Sequence, residues 1–126
     1  MIWVLRIGDT DFQVKGLFNR KEEKMIHVIA IVELKPGCRD AYLEVLLGNV
    51  AAVKAEKGCL VYEPTIDVET DIPIHEKYGD NFVTIVEAWD DIAALKNHFT
   101  EPHMLAYREK AKDLIKKVTI RVLQPA

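Results

Sequence analysis

The chain of 126 residues contains no serine and only two cysteines, Cys38 and Cys59. Without serine there is no nucleophile elbow of the hydrolase kind. Two cysteines with no CxxC spacing build neither a disulfide framework nor a thiolate zinc site. They are expected as free thiols in a reducing compartment, the cytoplasm. GxGxxG and GxxxxGK[ST] are both missing, which removes the usual nucleotide cradles. No apolar run approaches the roughly 20 residues of a membrane helix, and the N-terminus reads apolar then charged, the reverse of a signal peptide. Excess positive charge is also lacking: 17 Lys and Arg are scattered among 20 Asp and Glu, for a net charge of −3. Neither a membrane nor nucleic acid is therefore an expected partner.

What is present is 49% hydrophobic and 29% charged residues, the balance of one soluble globular domain with a real core. "MIHVIAIVEL" (25–34) is a β-branched run that stops at "KPG", a strand ending in a turn. From Arg39 to Lys57, apolar residues recur every three or four positions, predicting a helix stopped by Gly58. Strands are predicted over 59–68 and 82–89, joined by the polar loop "ETDIPIHEKYGDN", so that the pair is antiparallel. Asp90 or Asp91 caps a second helix, which Thr100 and Pro102 interrupt and restart with Thr100 as the new cap. "VTIRVL" (118–123) is the last strand. From Met25 onward, strand, helix, strand, strand, helix, strand is the ferredoxin-like α+β order, βαββαβ, over residues 25–126. Residues 1–24 read as a β-hairpin extension with a charged linker, "NRKEEK".

Both faces of the first and third strands carry apolar residues. Val28, Ala30 and Val32 oppose Ile29 and Ile31, while Phe82 and Val86 oppose Val83, Ile85 and Trp89. Helices cover one face of such a sheet, so a homodimer joined sheet to sheet is expected.

The chemistry-bearing residues gather in "EAWDDIAALKNHFTEPH" (87–103). On one continuous helix His98 and His103 would sit roughly 140° apart, a poor match to zinc-ligand spacing, and no Cys or carboxylate completes a set, so no metal is expected. What remains is an aromatic and histidine cluster: Trp89, His98, Phe99, His103 and Tyr107, with Tyr62 on the neighbouring strand. An apolar pocket with one titratable imidazole binds a flat aromatic and accepts a phenolic proton near neutral pH. Ordinary packing at the core edge is the competing reading. A His beside Pro102 in a first helical turn is also placed to bond the backbone.

"EKGCLVYE", "VEAWDDIAALKNHF" and "EPH", in that order between strands of the ferredoxin-like pattern, resemble the antibiotic biosynthesis monooxygenase family and its quinol monooxygenase branch. The resemblance covers about residues 25–123. It implies a dimeric α+β barrel and a small oxygenase that needs no cofactor and uses dioxygen as co-substrate on an electron-rich phenol or quinol. Gly58, Cys59, Leu60, Tyr62, Glu87, Trp89, His98 and His103 match its pattern. On that basis His98 is expected as the catalytic base or orienter, with Tyr62, Trp89, Phe99, His103 and Tyr107 as substrate-binding residues. The family also includes relatives that degrade haem, isomerise sugar phosphates or have no known activity. Haem-degrading members carry an Asn on the pocket side of the first strand, where this chain has Ala30, which argues against haem chemistry. A dimeric module that binds a small molecule without transforming it is the alternative from another class. Two departures from the family pattern, the long loop from Glu69 to Asn81 and the N-terminal extension, are placed to reshape the pocket mouth.

Overall fold

The computed structural model describes residues 24–126. The hairpin expected over residues 1–24 thus lies, Lys24 apart, outside the described residues. The described elements run in the order strand β1 (Ile26–Leu34), helix α1 (Arg39–Lys54), β2 (Cys59–Thr65), β3 (Phe82–Trp89), helices α2 (Ile92–Thr100) and α3 (Pro102–Ala111), and β4 (Ile115–Leu123). The strands form one antiparallel sheet, ordered β2-β3-β1-β4. This is the ferredoxin-like α+β arrangement, with the most apolar strand, β1, inside the sheet.

Alternation in β1 buries Ile26, Val28, Ala30, Val32 and Leu34 beneath the helices. Directly paired residues share a face. The pairs Val28 with Glu87 and Ala30 with Ile85 therefore place Val83, Ile85, Glu87 and Trp89 on that inner face as well. On the outer face Ile29 and Ile31 are half-buried and Val86 is exposed.

Element ends depart from the sequence pattern where backbone pairing decides them. β4 begins at Ile115, three residues before the expected start. It takes in Lys116 and Lys117 because Ile115 pairs with Leu34 beyond a register shift in β1. β2 ends at Thr65, and α1 ends at Lys54, three residues before Lys57. The chain then turns through Gly58, whose φ of +88° favours glycine and whose missing Cβ would lie 2.6 Å from that of Ala94. That contact brings the end of α1 and the start of α2 together. Asp91 caps α2, accepting from the Ala94 N–H at 2.9 Å. Glu101, not Thr100, caps α3: it is extended (φ −60°, ψ 140°), as sterics demand of a residue before Pro. The Thr100 hydroxyl instead donates to the Asn97 carbonyl within α2.

The helices leave β4 uncovered. Val118, Ile120 and Val122 pair with Val32, Ala30 and Val28 and so face the helix side, yet they are 51%, 41% and 43% exposed. The long loop is tied by its own bonds: the Asp67 carboxylate accepts from the N–H groups of Tyr78 (2.7 Å) and Gly79 (2.9 Å), and Tyr78 stacks on Phe82. No helix among the described residues is long and apolar enough to cross a membrane.

Candidate active site

Between the helices and the β1–β4 side of the sheet lies a cavity of about 390 Å³, within the roughly 300–1,000 Å³ range of small-molecule sites. Its walls include Ala30, Ile85, Met104, Val118 and Ile120. Into this apolar lining project Tyr62, Glu87, His98, Phe99 and Tyr107, with Arg108 and Lys112 also at its edge. Residues 66–81 contribute nothing to the lining, so the long loop does not shape this cavity.

Of the residues singled out in the sequence, Tyr62, His98, Phe99 and Tyr107 therefore share one cavity. Trp89 and His103 do not line it. Trp89 is fully buried behind His98, with ring centroids 4.7 Å apart. His103 faces a second groove, between α1 and α3.

The two histidines meet on a residue the sequence did not single out. Glu56, just past the end of α1, has a buried side chain, and its Oε2 lies 2.9 Å from His98 Nδ1 and 2.6 Å from His103 Nε2. The extended Glu101 breaks the helix between the histidines, so the angle expected on a continuous helix does not apply. A carboxylate only accepts, so His98 carries its proton on Nδ1 and keeps Nε2 as an acceptor. The His103 side chain bonds Glu56 and not the backbone, which is the alternative for a His in a first helical turn. Burial, helped by the charges of His103 and Arg108, lowers the His98 pKa against the opposing hydrogen bond and charge of Glu56, and favours a neutral imidazole.

Glu87 is also buried, 5% exposed. Trp89 Nε1 donates to its Oε1 at 2.9 Å. Burial, which outweighs that bond, pushes its carboxyl up to about 7. The Tyr42 and Tyr107 hydroxyls lie 2.5 Å apart. Burial raises the pKa of both and of Tyr62, so all three stay protonated near neutral pH. Burial, with Glu56 and Glu87 nearby, likewise raises the Cys59 thiol to about 11, which leaves it a poor nucleophile.

The arrangement is that of an apolar slot with a neutral base held from behind and a carboxyl on its sheet wall. It suits proton removal from an aromatic hydroxyl. The profile of the antibiotic biosynthesis monooxygenase family matches residues 25–110. The chain belongs to that family. It is 36% identical over 103 residues to "Probable quinol monooxygenase YgiN" of Escherichia coli (strain K12), covering 80% of this chain and 98% of that protein. Among solved structures, PA3566 from Pseudomonas aeruginosa superposes with a TM-score of 0.69 at 27% identity, covering 82% of this chain and 95% of that one. Rv0793 from Mycobacterium tuberculosis does so at 0.67 and 25%, covering 81% and 95%. Glu56, Glu87, His98, His103 and Tyr107 all fall in the span matched to the family, whereas Val118 and Ile120 of the cavity wall lie beyond it.

A sequence signal existed for Glu87: in "FVTIVEAW" it occupies the inward register between Ile85 and Trp89, where an isolated charge demands a reason. The signal for Glu56 was weaker: it heads the quoted "EKGCLVYE", but between Lys54 and Lys57 it reads like any solvated residue at a helix end.

Proposed function

We propose that this family member is a monooxygenase of a quinol or related polyphenol, with dioxygen as co-substrate and no bound cofactor. His98 is the base in this reading. The observation that carries it is the orientation of His98: Nδ1 is tied to buried Glu56, and the ring lines an apolar cavity, leaving Nε2 for a ligand. A phenolic proton passes to Nε2, and the electron-rich phenolate is then itself the reductant for dioxygen. Tyr62, Phe99 and Tyr107 hold the ring, while Trp89 packs against His98 and fixes it from behind. Glu56 and His103 act as positioning residues, holding the tautomer without touching substrate. The similarity to a protein named as a quinol monooxygenase supports the substrate class.

Oxygen uptake and product analysis with a panel of quinols, run aerobically and anaerobically, test this function. Oxygen-dependent turnover that His98→Gln abolishes while quinol affinity is kept is the expected result. No turnover with any quinol would favour a module that only binds. The working unit in this reading is a cytoplasmic homodimer joined through the outer sheet face. The apolar side chains left open there and the free thiols of Cys38 and Cys59 both fit it.

A further inference from the structure

The mechanism above gives Glu87 no task, yet this carboxyl stands in the same cavity as His98. A carboxyl buried in an apolar wall costs stability unless it is neutral, paired or used. Among the described residues, the only hydrogen bond to the Glu87 carboxyl comes through one oxygen, Oε1, from the Trp89 indole. No lysine, arginine or histidine among the described residues forms an ion pair with it. Trp89 in turn packs on the His98 ring, so the acid and the base are both held by one indole.

We propose that Glu87 is the general acid of the reaction, giving its proton to the oxygen that leaves as water. The assignment rests on the quinol monooxygenase reading. His98 Nε2 first takes the phenolic proton. One electron passes from phenolate to dioxygen, and the two radicals join as a new C–O bond at the ring carbon beside the phenolate carbon. The resulting peroxide anion takes the proton back from His98. His98 then removes the hydrogen on that carbon, and the C–H electron pair becomes the second bond of a carbonyl. The O–O bond breaks with its electrons on the distal oxygen, and that oxygen, already bearing one hydrogen, takes the Glu87 proton and leaves as water. A proton transfer from the His98 imidazolium to the Glu87 carboxylate restores both. Quinol and dioxygen thus become hydroxyquinone and water, with four electrons moved to oxygen and no net proton released.

Protonation of the leaving oxygen is a separate event from phenol deprotonation, and a second group suits it because His98 is then occupied with the ring hydrogen. The pair is also poised for these roles at rest. Burial holds the carboxyl protonated toward neutral pH and the imidazole neutral, so that acid and base are both in the form the reaction needs.

Glu87→Gln keeps the shape of the side chain and an acceptor for the indole but has no proton to give. Steady-state oxygen uptake, quinone formation and hydrogen peroxide are measured together on wild type, Glu87→Gln and Glu87→Asp, with far-UV circular dichroism to confirm folding. The expected result is a fall in kcat of about 10²-fold or more for Glu87→Gln with KM for the quinol within twofold. Hydrogen peroxide should appear in place of water as the stalled peroxide escapes, and Glu87→Asp should recover part of the rate. A folded Glu87→Gln with unchanged kcat would overturn the assignment. So would a loss confined to KM, or a slow variant that stays fully coupled to water, since either is the mark of a packing role. Wild-type protein inert toward every quinol would instead sink the monooxygenase reading itself, and the assignment with it.

Discussion

The buried Glu87 carboxyl makes a prediction about stability that is independent of any reaction. Its ordinary value is 4.5, and burial raises it to about 7 in the fold. At about 1.4 kcal/mol per pH unit, that gap is worth about 3 kcal/mol. Between those two pH values the folded chain holds a proton that the unfolded chain has lost, so stability must fall as pH rises. The contribution is complete below about pH 4.5 and gone above about pH 7. Glu87→Gln removes the titration while leaving an acceptor for Trp89. The variant should therefore match wild type near pH 4.5 and exceed it by about 3 kcal/mol at pH 8, or roughly 10 °C in Tm for a domain of this size. Urea or thermal unfolding followed by circular dichroism, from pH 4.5 to 8, measures both. Buried His98, whose pKa is lowered, works with the opposite sign: its contribution is present at high pH and lost as the pH falls through its range. Comparing variant with wild type at each pH cancels that term. A difference that stays flat across the range would refute the reasoning, because it would mean that Glu87 titrates alike in the folded and unfolded chain.

The strands were legible because their side chains alternate, and β3 was readable to its last residue. The first residues of β4 were not, since Lys116 and Lys117 join the ladder through backbone pairing that carries no side-chain signature. The cavity was half legible. Tyr62, His98, Phe99 and Tyr107 announced themselves as aromatic or titratable groups on facing elements. The convergence of His98 and His103 on Glu56 did not, because helical periodicity ceases to relate two residues once Glu101 leaves the helix. The exposed inner face of β4 was hidden for a different reason. Val118, Ile120 and Val122 alternate in "VTIRVL" as strand residues do, and only the placement of the helices shows that nothing in residues 24–126 covers them well.

Three further perturbations follow from specific contacts. Glu56→Gln keeps one carbonyl oxygen for the two histidines but removes the negative charge that strengthens both bonds and replaces the second acceptor, Oε1, 3.1 Å from His98 Nδ1, by an amide donor. It should cost about 1.5–3 kcal/mol in urea unfolding, as the loss of one charge-assisted bond does. Gly58→Ala combines a φ of +88° with a 2.6 Å clash against Ala94, whereas Gly37→Ala meets only a φ of +78° in open space. The first should cost about 2–4 kcal/mol and the second about 1, and equal losses would show that the close approach of α1 and α2 is not tight. The last concerns assembly. On the outer face Ile29 pairs with Val86 at the centre of the sheet, and Ile31 lies two residues further along β1. Each such side chain gains roughly 1.5–3 kcal/mol on full burial, and two-fold symmetry counts every one twice. A self-association strong enough to persist at micromolar concentration therefore needs only a few of them. A single Ile31→Glu places a charge in each facing sheet, close to its own symmetry copy, where desolvation and repulsion add. Light scattering coupled to size exclusion should show wild type as a dimer and the variant as a folded monomer, and a wild type that runs as a monomer throughout the micromolar range would rule the sheet-to-sheet dimer out.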